Sequence, residues 1–278
     1  MNMRTVFSRI VALSIAFATM PTLAATIFSD NFEGVTPPAA PLAANWALRN
    51  LITTDNAGTP FGAPTNYAIV TAASQLLGTQ NQSGYAGALT TTSMDFYDTG
   101  VPASVAMTVA LGISGAPDFN TNARVLFAIQ VANGTILPFG PTLNTTLDPL
   151  APVGTTTYSL NVPHKLQYVY NHTGAAVLGY DGTHDLNNNQ AGVFLDGVYV
   201  GTYNGATTLT PGRSGLRKFG TVSTQPGTYY VDNYTIETGV AIVPEPATLS
   251  LLGLALTGLM AVRRRPDWRG GAVSRPLI

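Results

Sequence analysis

The sequence predicts an all-β fold, a two-sheet antiparallel sandwich. Three observations carry this. Thr, Val, Tyr, Gly, Asn and Pro are prominent, with 28 Gly and 19 Pro in 278 residues punctuating short apolar runs. Amphipathic runs with the 3.6-residue period of a helix are hard to find in the body of the chain. Finally, Val193-Phe194-Leu195, Asp196-Gly197 and Val198-Tyr199-Val200 form a strong hairpin signal, because Asp-Gly tolerates the positive φ angles of a type I′ turn.

Both ends stand apart from this body. Met1–Ala24 carries Arg4 and Arg9, then the apolar run Ile10–Phe17, then small residues at Thr22-Leu23-Ala24. This is the pattern of a secretory signal helix, exported through the Sec translocon and cut by signal peptidase between Ala24 and Ala25. An uncleaved N-terminal anchor is the alternative.

The body then runs over residues 25–242, one domain's worth of chain and enough to bury a core. Its expected strands are Thr26–Phe32, Trp46–Ile52, Tyr67–Thr71, Gly87–Thr91, Ser104–Ile113, Arg124–Ala132, Thr157–Val162, Lys165–Tyr170, Ala175–Tyr180, Gly192–Leu195, Val198–Tyr203 and Thr228–Glu237. In Lys165–Tyr170 the side chains of Leu166, Tyr168 and Tyr170 share one face. About a dozen short strands with turns between them imply a sandwich. Asn133–Thr156, with four prolines, reads as a surface excursion, and Tyr180–Gln190 as an Asp/Asn/Gly-rich loop.

The tail has three parts. Val243-Pro244-Glu245-Pro246 is held extended, since each proline fixes its own φ and disfavours helix at the residue before it. Ala247–Val262 follows without a charge. As a helix it would be about 24 Å long. Pro246 and the snorkelling stems of the following arginines extend that towards the ~30 Å of a hydrocarbon core. Arg263, Arg264 and Arg265 then favour the cytoplasmic side. A single transmembrane helix is expected, with 266–278 as a short cytoplasmic tail.

In order and spacing, residues 243–265 resemble the PEP-CTERM sorting signal of Gram-negative bacteria. That resemblance implies recognition by an exosortase, a membrane-embedded transpeptidase or protease, with processing near Val243, Pro244, Glu245 and Pro246. It also implies a transient inner-membrane anchor, a final place at the cell surface, outer membrane or extracellular matrix, and association with exopolysaccharide and biofilm. A bare anchor with an accidental Pro-Glu-Pro is the alternative, and Pro266–Ile278 runs beyond the usual stop after the arginines. Phe28-Ser29-Asp30-Asn31-Phe32-Glu33, the Val193–Gly201 hairpin and Tyr230-Val231-Asp232-Asn233-Tyr234-Thr235-Ile236 look like landmarks of concanavalin A-like (LamG-like) jelly rolls. Another sandwich type is the alternative. That second resemblance implies first and last strands side by side, with a structural Ca²⁺ held by Asp30 and Asp232 and with Glu33 nearby. Hydrogen bonding at strand ends is the other reading of those residues.

Charge and chemistry narrow the function. Of 13 Lys+Arg, two lie in the signal and five in the tail, leaving six; of 14 Asp+Glu, Glu245 and Asp267 lie outside the body, leaving twelve. A body near −6 argues against nucleic acid. With no cysteine, thiolate chemistry and disulfides are excluded. Glycoside hydrolysis needs two placed carboxylates. The body's only glutamates are Glu33 and Glu237, and pairs such as Asp95/Asp98 and Asp181/Asp185 read as turn formers. No G-x-S-x-G is present, and His164, His172 and His184 have no ligand-like spacing. Asp185–Asn189 with Asp196 resembles the start of a calcium loop, but Gln190 stands where its glycine is needed. Sugar binding would be carried by exposed aromatics drawn from Trp46, Tyr67, Tyr85, Tyr97, Tyr203 and Tyr229. The expectation is a non-catalytic surface or matrix protein that binds glycan. A polysaccharide hydrolase and a purely structural coat protein are the alternatives.

Overall fold

A computed structural model of the chain describes residues 24–239, apart from 51, 63, 72–75, 86, 102–105, 114–124, 140–155, 208–209 and 219–227. The chain separates into two compact units, Met1–Ile242 and Val243–Ile278, and all described residues lie in the first. The expected signal helix, transmembrane helix and tail motif lie outside them. Among the described residues no helix is long and apolar enough to cross a membrane.

The strands, in order, are β1 (Ala25–Asp30), β2 (Trp46–Asn50), β3 (Thr53–Asp55), β4 (Tyr67–Val70) and β5 (Leu76–Thr79). After these come β6 (Leu89–Asp98), β7 (Met107–Ile113), β8 (Val125–Ala132), β9 (Thr135–Phe139) and β10 (Thr156–Thr157). The last five are β11 (Pro163–Asn171), β12 (Gln190–Leu195), β13 (Val198–Asn204), β14 (Pro211–Lys218) and β15 (Tyr229–Thr238). They form two antiparallel sheets. One runs β13-β12-β11-β6-β15-β4-β3 with β1 also on β15; the other runs β10-β9-β8-β7-β14-β5-β2. The sandwich is all-β, as its alternating pattern predicts.

Two hairpin turns follow from local chemistry. Asp196 and Gly197 sit at φ of 52° and 80°, as a type I′ turn needs, and join β12 to β13. Asn133 and Gly134, at 45° and 77°, do the same between β8 and β9. This second turn places a strand at 135–139, inside the stretch expected to be an excursion. Other differences have physical reasons. β6 continues seven residues past the expected end at Thr91, because its Thr and Ser side chains suit a pleated surface covered on both flanks by β11 and β15. Ala175–Tyr180 is not a strand. It belongs to a loop that turns back on itself through a single Val177–Leu186 bridge and buries Tyr180 and Leu186 against Val169 and Phe194. Of the expected strand Thr157–Val162 only Thr157 is in a strand, the two-residue β10, and Asn161 turns at φ 60°. β3, β5 and β14 are additional strands whose short or glycine-broken sequences carry little periodicity.

The core lies between the sheets around Trp46. Its ring meets Phe28 edge-on at 5.1 Å and Tyr234 edge-on at 5.3 Å, and stacks on Phe32 at 6.0 Å. Across the gap Ser214 of β14 shares hydrogen bonds with the hydroxyls of Tyr168 (2.9 Å) and Tyr234 (2.5 Å), so the polar ends of buried tyrosines are paired between sheets. Asp30 anchors the first strand to this core: it accepts from Trp46 Nε1 (2.5 Å), Asn45 Nδ2 (3.0 Å) and the Phe32 amide (2.7 Å). Among the described residues the strands fall within 25–238 and the core cluster runs from Phe28 to Ile236. Replacing Asp30 by Ala strands the buried indole N–H. Urea unfolding of residues 25–242 should show a loss of about 2–3 kcal/mol, while Ser29→Ala, on the exposed side of the same strand, should change stability by less than about 0.5 kcal/mol.

Candidate functional site

Period-two geometry decides which aromatics face out of the eight-stranded sheet. On β15, Tyr229 points inward, its hydroxyl donating to the Val131 carbonyl of the opposite sheet at 2.8 Å. Its neighbour Tyr230 therefore points outward, and so does Asp232. Register then lines up an outer row: Tyr230 lies across from Tyr97 on β6 and from Ile69 on β4, and Pro163 of β11 lies across from Tyr97. Tyr67, two residues before Ile69, shares this face and lies across from Asp55 of β3. The rings touch in sequence. Tyr97 and Tyr230 are 5.6 Å apart, Tyr230 and Tyr67 5.1 Å, and Tyr67 and Phe61 6.1 Å.

The loop Ala57–Gly62 raises one wall over this row. Asp55 caps it, accepting from the amides of Asn56 (2.7 Å) and Ala57 (3.0 Å), while the Tyr67 hydroxyl donates to the Ala57 carbonyl. Gly58 and Gly62 turn with φ of 82° and 88°, a region that side-chain-bearing residues avoid. The other wall is Asn161 and Pro163, held where the Asn161 amide donates to the Asp98 carbonyl at 2.9 Å. Together they enclose a cleft of about 530 Å³ lined by Phe61, Tyr67, Tyr97 and Tyr230. The size suits a small ligand or a few residues of a chain.

One rung along, the sheet forks. The same edge of β15 pairs with β4 through Tyr229–Val231 and with β1 through Tyr234–Thr238, leaving Asp232 and Asn233 between them. Asn233 takes a positive φ of 49° where the register shifts. Asp232 lies across from Asp95. It accepts from the Asn233 amide (2.7 Å) and Thr65 Oγ1 (3.3 Å), and Asn233 Nδ2 donates to Asp95 at 2.8 Å. Glu33 accepts from the Asn66 amide at 2.8 Å beside them. Burial, with the like charges of Asp95 and Glu33 adding to it, pushes the Asp232 carboxyl up to about 6. Burial, with the neighbouring Asp55 charge, likewise raises the Tyr67 hydroxyl.

The residues expected to hold calcium are placed apart. β1 and β15 do pair, with Asp30 across from Tyr234. Asp30 therefore points with Tyr234 into the core, whereas Asp232 points out of the sheet. The Asp30 oxygens are taken up by three N–H donors. The set Asp30, Asp232 and Glu33 thus does not fit one ion, and Asp95 takes the place beside Asp232. Among the described residues no group of three His, Asp or Glu could hold a metal. The calcium-like loop is spent locally: Asp185 accepts from the Gly179 amide, Asn188 from the Gly174 amide, and Asp196 from the Lys165 amide and His164. The histidines are also spent in local contacts, with His172 bonded to Asn189, and His184 bonded to Asp181 and stacked on Tyr199 at 3.6 Å.

Of the expected aromatics, Trp46, Tyr67, Tyr85, Tyr203 and Tyr229 are buried, Tyr67 at the base of the cleft, and Tyr97 is the partly exposed one that lines it. Phe61 and Tyr230 were not among the expected set. Tyr230 is legible from alternation once Tyr229 is known to be core; Phe61 sits in a loop and carries no periodic signal. The sorting residues 243–246 and 263–265 lie outside the described residues, while Ala25 opens β1, its amide donating to Thr238 Oγ1 at 3.2 Å.

Residues 243–265 match the model of the PEP-CTERM protein-sorting motif. No curated protein matches the chain. Solved structures do. The carbohydrate recognition domain of Emp46p in its potassium-bound form has 10% identity and a TM-score of 0.50, covering 77% of this chain and 97% of that one. The carbohydrate recognition domain of Emp47p has 11% identity and a TM-score of 0.48, covering 78% and 97%. The receptor-binding domain of botulinum neurotoxin type G has 5% identity and a TM-score of 0.45, covering 76% of this chain; this chain spans about half of that domain's length, 47%. At these identities the first of the three speaks for the fold alone.

The raised Asp232 carboxyl sets a sign for stability. Its folded value of about 6 lies above the ordinary 3.8. Between those values the folded chain therefore holds more protons than the unfolded one, and stability falls as pH rises through that window. Thermal unfolding of residues 25–242 at pH 4 and pH 7 should show this loss, and Asp232→Asn should remove about 1–3 kcal/mol of it.

Proposed function

We propose that this is an exported, non-catalytic surface or matrix protein whose sandwich binds glycan in the aromatic cleft. The observation that carries the reading is the partly exposed rings of Tyr97, Tyr230 and Phe61, backed by the buried Tyr67, between two loop walls. Sugars present apolar C–H faces that stack on such rings, while Asn161 and the backbone groups of 57–62 can read hydroxyls. The fold shared with a carbohydrate recognition domain supports the same direction.

The sorting signal supplies the setting. In this reading a signal peptidase cuts between Ala24 and Ala25, leaving β1 intact. An exosortase-like enzyme then processes the chain near Val243-Pro244-Glu245-Pro246, with Arg263–Arg265 holding the helix in the inner membrane of a Gram-negative cell until it does. The released body would then reach the cell surface or an exopolysaccharide matrix. In mass spectra of the protein from its native envelope and medium, mature chains should begin near Ala25 and end near Val243. Pro244→Ala with Pro246→Ala should leave full-length protein in the inner membrane. Retention of Arg263–Ile278 in the wild type would instead mark an ordinary anchor.

One observation favours a second reading, hydrolysis. Asp232 and Asp95 lie cross-strand, and one of them has a raised pKa, as a general acid does. Against it, Asp232 is 2% exposed and already hydrogen-bonded, and no carboxylate lines the cleft. Binding is the better supported. On a glycan array, residues 25–242 should retain a glycan that Tyr230→Ala and Tyr97→Ala each bind at least tenfold more weakly, since stacking of this kind contributes about 1–2 kcal/mol per ring. Reducing ends released from the bound polymer, and lost in Asp232→Asn, would establish the hydrolase instead.

A further inference from the structure

The seven-stranded sheet, on the side of the sandwich away from the cleft, holds a charge that no described residue answers. Ser214 of β14 points into the core, where it meets Tyr168 and Tyr234, so its neighbour Arg213 points out of the sheet. Arg213 is nonetheless only 6% exposed. Its Nη2 donates to Asn81 Oδ1 at 3.1 Å, whereas Nε and Nη1 are buried with no partner. Among the described residues the ion pairs join His164 to Asp196 and His184 to Asp181, and no carboxylate meets Arg213. Burial pulls the Arg213 pKa down, as expected of a cation taken from water without an anion. Such a group is strongly unfavourable until an anion reaches it. The floor around it supplies no acceptor side chain: Gly112 lies across from Arg213 on β7, and Gly215, two residues along β14, is flanked by Ala110 and Gly78. Beside it Gln80, Asn81 and Ser83 are exposed, and the Gln82 amide donates to the Gly212 carbonyl at 2.7 Å. Because the exposed Asn81 is itself bonded to Nη2, the guanidinium lies one side chain below solvent.

We infer that Arg213 anchors a second binding site, which takes the carboxylate of a sugar acid. A guanidinium with free N–H groups meets a carboxylate through charge-assisted hydrogen bonds, and its planar shape matches that anion. One carboxylate neutralises one guanidinium, whereas a dianion such as phosphate would leave a net negative charge in a buried place. The amides of Gln80, Asn81 and Gln82 and the hydroxyl of Ser83 are donors and acceptors that suit the hydroxyls of a sugar ring. The aromatic cleft is lined from the eight-stranded sheet and its loops, so this site does not depend on the cleft binding glycan.

The test uses the full chain, purified in detergent, in calorimetric titrations and thermal unfolding at matched ionic strength. The probes are galacturonate, galactose, phosphate and an oligogalacturonate. Galacturonate should bind and raise the melting temperature as its concentration rises, while galactose and phosphate should do neither. Arg213→Gln should weaken galacturonate at least tenfold, the loss expected for hydrogen bonds to a charged group, and Tyr230→Ala should leave it unchanged. Without any probe, Arg213→Met should melt no lower than the wild type, because it removes a buried charge that has no partner. Binding of the oligomer as well as the monomer would assign the carboxylate to a polymer, and binding of the monomer alone to a free sugar acid; either supports the site. Absence of binding by both, galactose binding as tightly as galacturonate, or galacturonate binding unchanged in Arg213→Gln would overturn it. So would a clear fall in the melting temperature of Arg213→Met matched by an equal fall in Asp118→Asn, since the acid that follows β7 in the sequence would then already answer the charge. Loss of this site would leave the aromatic cleft untouched, and a blank glycan array would leave this site untouched.

Discussion

The placement of the last strand is the constraint on which the rest of the sandwich depends. β15 does not end at an edge; it enters the middle of the eight-stranded sheet, with β6 along one side and β4 and β1 sharing the other. Pairing Ala25 with Thr238 closes a separation of 213 residues. Such contacts are costly in chain entropy and are repaid only when the sheet is complete. Once made, they fix the two ends of the folded body side by side and commit Tyr229, Val231, Tyr234 and Ile236 to the core.

The same insertion shapes the face that carries the cleft. Because one strand of fixed pleat must satisfy β6 and also divide its other edge between two partners, it bulges at Asp232–Asn233. The bulge opens the fork where Glu33, Thr65 and Asn66 converge. The regular pairing just before it sets Tyr230 beside Tyr97 and Tyr67. Aromatic row and carboxylate row are therefore successive rungs of one ladder. The cleft wall rests on the same ladder through Asp55 and Tyr67.

Much of the fold was legible in short-range chemistry. Alternation in Lys165–Tyr170, the Asp196-Gly197 turn and the density of turn residues point to a sandwich, and the structure has one. The misreadings come where local pattern and tertiary cover disagree. Ala175–Tyr180 has strand-like residues, but they fold over the sheet as a loop, burying Tyr180 and Leu186 without ladder partners. Asn133-Gly134 is a turn signal of the same strength as Asp196-Gly197, and reading it would have found β9 inside the supposed excursion. For the site, Tyr67 and Tyr97 were within reach of sequence reasoning. Asp30 was misleading, since its likeness to a calcium-binding strand end cannot reveal that the carboxylate turns inward to Trp46.

By itself the sequence determined the sorting tail, whose Val-Pro-Glu-Pro, uncharged run and arginines act through linear order, and the class of the body, whose period of two is a property of each strand alone. Only the tertiary structure decided which aromatics meet and which acids share a face. Those facts depend on register between strands more than a hundred residues apart, as with Asp95 and Asp232. A slip of one residue there would turn the Tyr230 ring into the core and Tyr229 out to solvent. No local pattern can carry that information, because each strand alternates in the same way whichever partner it finds.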